Sequence, residues 1–312
     1  MKKECISTLI RGLVMDLTGK PRIVITERTE EGAIPDSAMK LEIGPDENRE
    51  RAAETIRGAC EAWKKSAANS GLGEGQILVP SCVSLKVNGK LNALYWIDRD
   101  LDSARKRQSE KDAAPRKENT AKTGTVLVTE DRAAVVKNRI ALVTGGAQGI
   151  GEEIVRNLAA AGALVFIADL NLEGARKLAD DINAAEGRTA ALAVGVNVSD
   201  EASVEAMFKT VAETAGGLDL CVSNAGVLKA GSVLEQELAD FKFVTDINYT
   251  GFFVISKYAG RLLRTQHYTA PRWKTDIVQI NSKSGLEGSN KNGAYAGSKF
   301  GSIGLVQSFA VP

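Results

Sequence analysis

The chain has 312 residues and a formal net charge of +1, from 40 Lys and Arg against 39 Asp and Glu. That near-balance excludes the basic footprint of a nucleic-acid binder or of a protein held on an anionic membrane. Hydrophobic residues make up 44%, enough for one large domain or two modest ones, and no run of about 18 apolar residues is present to span a bilayer.

Residues 1–102 carry mixed helix and strand signals and read as a small α+β domain of unassigned role. Arg22–Thr26 is a β-rich run. Between Glu47 and Asn69, the residues Ala52, Ile56, Ala59, Cys60, Trp63 and Ala67 recur at helical spacing. Val83–Val87 and Leu91–Ile97 flank Asn88-Gly89, a dipeptide suited to a two-residue turn with positive φ, and predict a hairpin. Residues 103–133 are rich in charged and small polar side chains and predict a solvated linker. Acidic residues interleave with its basic ones, which speaks against nucleic acid. Met1-Lys2-Lys3-Glu4 leads into no signal-type apolar segment. Cys5, Cys60, Cys82 and Cys221 are scattered without metal-ligand spacing, and read as buried free thiols of a cytoplasmic protein with no metal.

Residues 134–312 alternate strand and helix patterns. Strands are predicted at 139–144, 163–169, 189–196, 218–223 and 275–282. Helices are predicted at 149–161, 172–185, 201–215, 294–309 and, as one long element, 237–264. Alternation at these lengths implies an α/β fold with a doubly wound parallel sheet.

Between the first strand and first helix of this zone lies Thr144-Gly145-Gly146-Ala147-Gln148-Gly149-Ile150-Gly151. Glycines there let backbone amides approach a pyrophosphate, and the helix N-terminus adds favourable partial charge. Asp169 ends the second strand, where a carboxylate can accept ribose hydroxyls and repel a 2′-phosphate. The carboxylate predicts NAD rather than NADP. Further along, Tyr295 and Lys299 stand at i and i+4 on one helix face, with Ser282 thirteen residues upstream. A phenol, a cation that lowers its pKa and a hydroxyl that holds a carbonyl make a proton-transfer site for carbonyl/alcohol interconversion.

Together these motifs resemble the short-chain dehydrogenase/reductase family over residues 134–312. The resemblance implies a Rossmann-like fold and NAD-dependent hydride transfer. It also implies that Asn197-Val198 sits beside the adenine, with asparagine replacing the usual aspartate, and that Asn224-Ala225-Gly226 supports the cofactor. Gln148 stands where phosphate-preferring relatives often carry a basic residue. Tyr295 is then the general acid or base, Lys299 lowers its pKa and holds the nicotinamide ribose, Ser282 binds the substrate oxygen, and Asn248 holds a water linked to Lys299. A narrower resemblance, around Gln279–Gly285, is to members of the family that act on polyol phosphates. Lys283, directly after Ser282, is the unusual element; it and Lys291, with Lys229 as a further possibility, are the phosphate candidates. An unphosphorylated ketone or polyol substrate and a non-catalytic NAD-binding regulator stay open as alternatives. His267, the single histidine, reads as a surface residue in the connection before the last strand.

Family members continue for two more strands beyond the Tyr295 helix, whereas this chain stops at Val311-Pro312. It therefore reads as a fragment whose sheet ends in an uncovered edge. Members usually pair through the long helix and the Tyr295 helix, which implies a homodimer or homotetramer.

Overall fold

A computed structural model describes residues 3–18, 21–28, 34, 38–44, 48–65, 80, 82–87, 90–97 and 135–310. The 103–133 linker and the Asn88-Gly89 turn lie outside those residues. In chain order the elements are α1 (Lys3–Thr18), β1 (Val24–Arg28), β2 (Ala38–Ile43), α2 (Arg49–Lys64), β3 (Cys82–Val87) and β4 (Lys90–Ile97). They continue with β5 (Ile140–Thr144), α3 (Gly149–Ala160), β6 (Leu164–Asp169), α4 (Leu172–Glu186), β7 (Ala191–Gly195), α5 (Glu201–Ala215) and β8 (Leu220–Ser223). The last are α6 (Leu238–Thr245), a π-turn (Asp246–Thr250), α7 (Gly251–His267), β9 (Asp276–Gln279), a 3₁₀ turn (Lys283–Gly285) and α8 (Gly293–Ala310).

The second sheet is parallel throughout, in the order β7-β6-β5-β8-β9. Its central strand β5 is buried at every position, as a strand covered on both faces must be. On one face Phe166 packs in a cluster with Met207 and Phe208 of α5 and Ile255 of α7. On the other Val143 and Ile167 cluster with Val155 of α3 and Leu178 of α4. Strand order reverses between β5 and β8, so their carboxyl ends open a crevice of the kind that binds dinucleotides. Local signals set the boundaries: the Asn171 and Asp200 side chains accept from Gly174 N and Ala202 N to cap α4 and α5, and Gly187 and Gly216 end those helices at left-handed φ. At the sheet edge, β9 leaves Ile277 and Val278 more than one third exposed.

The first sheet is mixed, in the order β1-β4-β3-β2, with β2 and β3 parallel and the other pairs antiparallel. Its core joins Leu9, Ile10, Ile56, Leu85 and Tyr95. Two of its elements, α1 and β2, are not among those predicted. In α1 the polar Ser7, Thr8 and Arg11 are buried along with the apolar residues, so the helix lacks a polar stripe. The predicted strand at 22–26 lies two residues later, and the helix at 47–69 is shorter. β3 and β4 pair antiparallel as the hairpin reading requires.

The seam between the two units is polar and closely fitted. Arg11 of α1 reaches Asp219 at the start of β8, Ser7 Oγ donates to Ala212 O at 2.9 Å, and Thr269 Oγ1 donates to Leu9 O at 2.7 Å. A Cβ on Gly12 would lie 2.4 Å from Thr269 Oγ1, so the helix can approach only with glycine there.

The long helix predicted at 237–264 is interrupted by one π-turn at Asp246–Thr250, and α7 ends at His267. His267 is therefore a helix terminus and half-buried, not a surface residue of the connection. All four cysteines are free and buried; burial pushes the Cys221 thiol up to about 12 and Cys60 to about 11.

Candidate active site

The glycine-rich turn leaves β5 and enters α3. Gly145 has φ +61°, and a Cβ on it would fall 2.9 Å from Ala225 Cα. On Gly151 a Cβ would fall 2.0 Å from Gly145 O, so the first turn of α3 rests directly on the loop. Gly149 is also left-handed, at φ +58°. Gln148 and Ile150 are exposed, and the Gln148 side chain makes no capping bond. The first N–H groups of α3 thus face outward without a side-chain acceptor, as an anion site requires.

Thr144 and Asn224 lock this loop to the end of β8. Thr144 Oγ1 accepts from Asn224 N and Ala225 N at 3.0 and 3.1 Å. Asn224 Nδ2 donates to Thr144 O and Gly145 O, both at 3.0 Å. Asp169 stands at the mouth of the same crevice. Its Oδ2 accepts from Ala147 N at 3.0 Å and its Oδ1 from Asn171 N at 2.9 Å. Asn197 is exposed and turns inward on its own loop, accepting from Ser199 N and Ser199 Oγ, while Val198 is buried against Gly251.

Asn248 lies in the π-turn, 3% exposed. Its Oδ1 accepts from Val227 N at 2.8 Å, and its Nδ2 donates to Val227 O at 2.9 Å and to Ser298 Oγ at 3.1 Å. The extra residue of a π-turn re-aims side chains, and such turns recur at functional sites. Here it delivers the amide to the backbone after Gly226. Ser298 in turn donates to Tyr295 O at 2.7 Å.

Lys299 is 6% exposed. Its Nζ donates to Ile280 O at 2.9 Å and lies 5.7 Å from the Tyr295 ring centroid. Burial lowers its pKa from the ordinary lysine value. Tyr295 is half-buried on the same helix. Ser282 caps the 3₁₀ turn, its Oγ accepting from Ser284 N at 3.2 Å. Asn281 holds it in place: Asn281 Oδ1 accepts from Ser282 N at 2.7 Å, and Asn281 Nδ2 donates to Lys299 O at 3.2 Å. Ser282, Tyr295, Lys299, Asn248 and Gly226 therefore belong to one hydrogen-bonded and packed neighbourhood at the ends of β8 and β9.

The proposed phosphate ligands are placed differently. Lys283 is 84% exposed at its side chain and pairs with Glu287 at 3.2 Å. Lys229 is paired with Asp240. Lys291 is exposed with left-handed φ, and its carbonyl accepts from Gly231 N at 2.7 Å. Two positioning residues, Ser298 and Asn281, were missed by sequence reasoning. Their signal was adjacency: each stands next to a residue already singled out.

Residues 139–312 match the model of the short chain dehydrogenase family. The chain belongs to that family. It is 36% identical over 174 residues to sorbitol-6-phosphate 2-dehydrogenase of Escherichia coli, a match covering 56% of this chain and 65% of that protein. It is 35% identical over 175 residues to meso-2,3-butanediol dehydrogenase of Serratia marcescens, again covering 56% and 65%. The crystal structure of sorbitol-6-phosphate 2-dehydrogenase from Erwinia amylovora superposes with a TM-score of 0.52 at 42% identity, over 55% of this chain and 64% of that one. The chain thus spans just under two thirds of the length of these relatives. Among the described residues, no helix is long and apolar enough to cross a membrane.

Proposed function

We propose that this chain carries the dinucleotide site and proton-transfer machinery of an NAD-dependent oxidoreductase that interconverts a polyol phosphate and its keto form, with sorbitol 6-phosphate and fructose 6-phosphate as the pair. The observation that carries the reading is Lys299, buried beside Tyr295 and tied to the Ser282 loop through Ile280 O and Asn281.

The glycine turn fits a pyrophosphate: Gly149 opens on free space, while Gly145 and Gly151 let the loop close tightly on Ala225 and on the first turn of α3. Asp169 at the crevice mouth suits the ribose hydroxyls of NAD and opposes the added phosphate of NADP. A bound nicotinamide supplies or accepts the hydride. The chain's own residues manage the proton. Tyr295 gives it to the carbonyl oxygen, or removes it from the alcohol in reverse. Lys299, buried on the same helix, places its Nζ 5.7 Å from the centroid of the Tyr295 ring and donates to Ile280 O, which fixes the helix face that carries the phenol. Ser282 uses its Oγ–H, which is left to donate while the oxygen accepts from Ser284 N, to hold the substrate oxygen. Asn248, closed onto Val227 and Ser298, fixes the helix that carries Tyr295 and Lys299.

A second reading, an unphosphorylated ketone or polyol as substrate, draws on the ion pair that turns Lys283 toward Glu287. The likeness to a butanediol dehydrogenase points the same way. A non-catalytic NAD-binding regulator is opposed by the joint presence of Ser282, Tyr295 and Lys299. Pairing of subunits through α7 and α8 is supported by the exposed Phe253, Phe300 and Phe309 on those helices. The substrate test is absorbance at 340 nm with NAD and either sorbitol 6-phosphate or sorbitol. Turnover confined to the phosphate ester is the expected result; turnover of sorbitol at an equal rate would overturn the phosphate assignment.

A further inference from the structure

Away from the catalytic crevice, a cleft of about 770 Å³ lies on the seam between the two units. That is within the size range of small-molecule sites, which favour such interfaces. Its lining comes from four helices: Cys5 and Thr8 of α1, Arg49 of α2, residues of α5, and Tyr258, Arg261 and Leu262 of α7.

Three cations from three different helices, Arg49, Lys209 and Arg261, face this one cleft. Among the described residues none of the three has a salt-bridge partner. Arg49 is the first residue of α2, where the positive end of the helix dipole adds to its charge. Arg261 lies over the Tyr258 ring, 5.2 Å from its centroid, which holds the guanidinium at the cleft wall. Phe208 and Leu262 supply apolar surface beside them, and Glu205 and Glu213 are the carboxylates of the same lining. The lining therefore offers cations for a compact anionic group and an apolar wall for a short carbon chain.

We propose that this cleft binds a small organic phosphate ester, with its phosphate on Arg49, Lys209 and Arg261 and its carbon chain against Phe208 and Leu262. The site is independent of the proposed dehydrogenase chemistry. It draws on both units, so occupancy strengthens their docking.

The test is calorimetric titration of the purified 312-residue chain with glycerol 3-phosphate, with glycerol and inorganic phosphate as separate arms. Saturable binding of the ester is expected, with weaker binding of inorganic phosphate and none of glycerol. The double variant Arg49→Ala/Lys209→Ala is expected to lose at least about tenfold in affinity. Its thermal melt is run alongside; should the fold suffer, Lys209→Glu alone, at an exposed position of α5, carries the comparison. No saturable heat below ~10 mM ester overturns the proposal. So does unchanged affinity in a folded variant, which would put the ester in the catalytic crevice instead.

Discussion

Arg11 Nη2 donates to Asp219 Oδ2 at 2.6 Å, and both side chains are wholly buried. The pair joins the first helix of the chain to the start of β8. The rest of its bonding is satisfied locally. Arg11 Nε donates to Arg22 O and Arg11 Nη1 to Gln266 Oε1, while the Asp219 carboxylate also accepts from Ile140 N and Trp273 Nε1. A buried pair with this much bonding contributes little net energy, yet breaking it on one side is costly.

Arg11→Met should therefore destabilise the chain by about 3–5 kcal/mol, because Asp219 is left as a buried charge without its cation. Adding Asp219→Asn, which keeps an acceptor for Ile140 N, should recover a large part of that loss. Urea unfolding of the single and double variants measures both; equal losses in the two would mean the ion pair is not what holds the seam.

Asn248→Ala removes the only side-chain bonds described to Val227 N and Val227 O. Leaving these part-buried groups unpaired should cost about 2 kcal/mol. Turnover should fall more than stability, because the same amide reaches Ser298 on the helix of Tyr295 and Lys299. Chemical unfolding and initial rates on one preparation separate the two effects.

Lys299 in the folded chain sheds its proton below the ordinary lysine value of 10.5, since burial disfavours the charge. The unfolded chain still holds that proton up to the ordinary value. Between the two the unfolded state binds more protons, so stability rises with pH across that window. Urea midpoints taken through it should climb for the parent chain and lose that component in Lys299→Met. A midpoint that rises equally in both would assign the dependence to another group.

Much of this was legible in the sequence, and the reasons are physical. Strands β5 and β6 are buried at all but one position and read as apolar runs, and glycine spacing marked the loop because Gly145 and Gly151 sit where no Cβ fits. Tyr295 and Lys299 were findable because i,i+4 spacing survives any packing. The first helix was not. Its buried Ser7 and Arg11 bond to partners more than 200 residues away, Ala212 and Asp219, and no local pattern encodes that. The π-turn was hidden as well, since one additional residue per turn leaves no compositional mark. Lys283 was read as a phosphate candidate from its place next to Ser282, and in the structure it pairs with Glu287 one turn later.

Asp169→Ala should bring NADP binding closer to NAD binding, by about tenfold in the affinity ratio, through loss of charge opposing a 2′-phosphate. The carboxylate also accepts from Ala147 N, so some weakening of both cofactors is expected. Parallel titrations with the two cofactors give the ratio directly.

The most direct measurement is a fluorescence titration of the purified chain with NADH, beside the same titration of Gly151→Val. A Cβ at that position would meet Gly145 O at 2.0 Å, so the variant cannot keep the loop and helix start together. Saturable binding by the parent chain, lost in the variant while its melting transition persists, is the predicted result. Absence of binding by the parent, or equal binding by a folded Gly151→Val, would contradict a dinucleotide site at the end of β5.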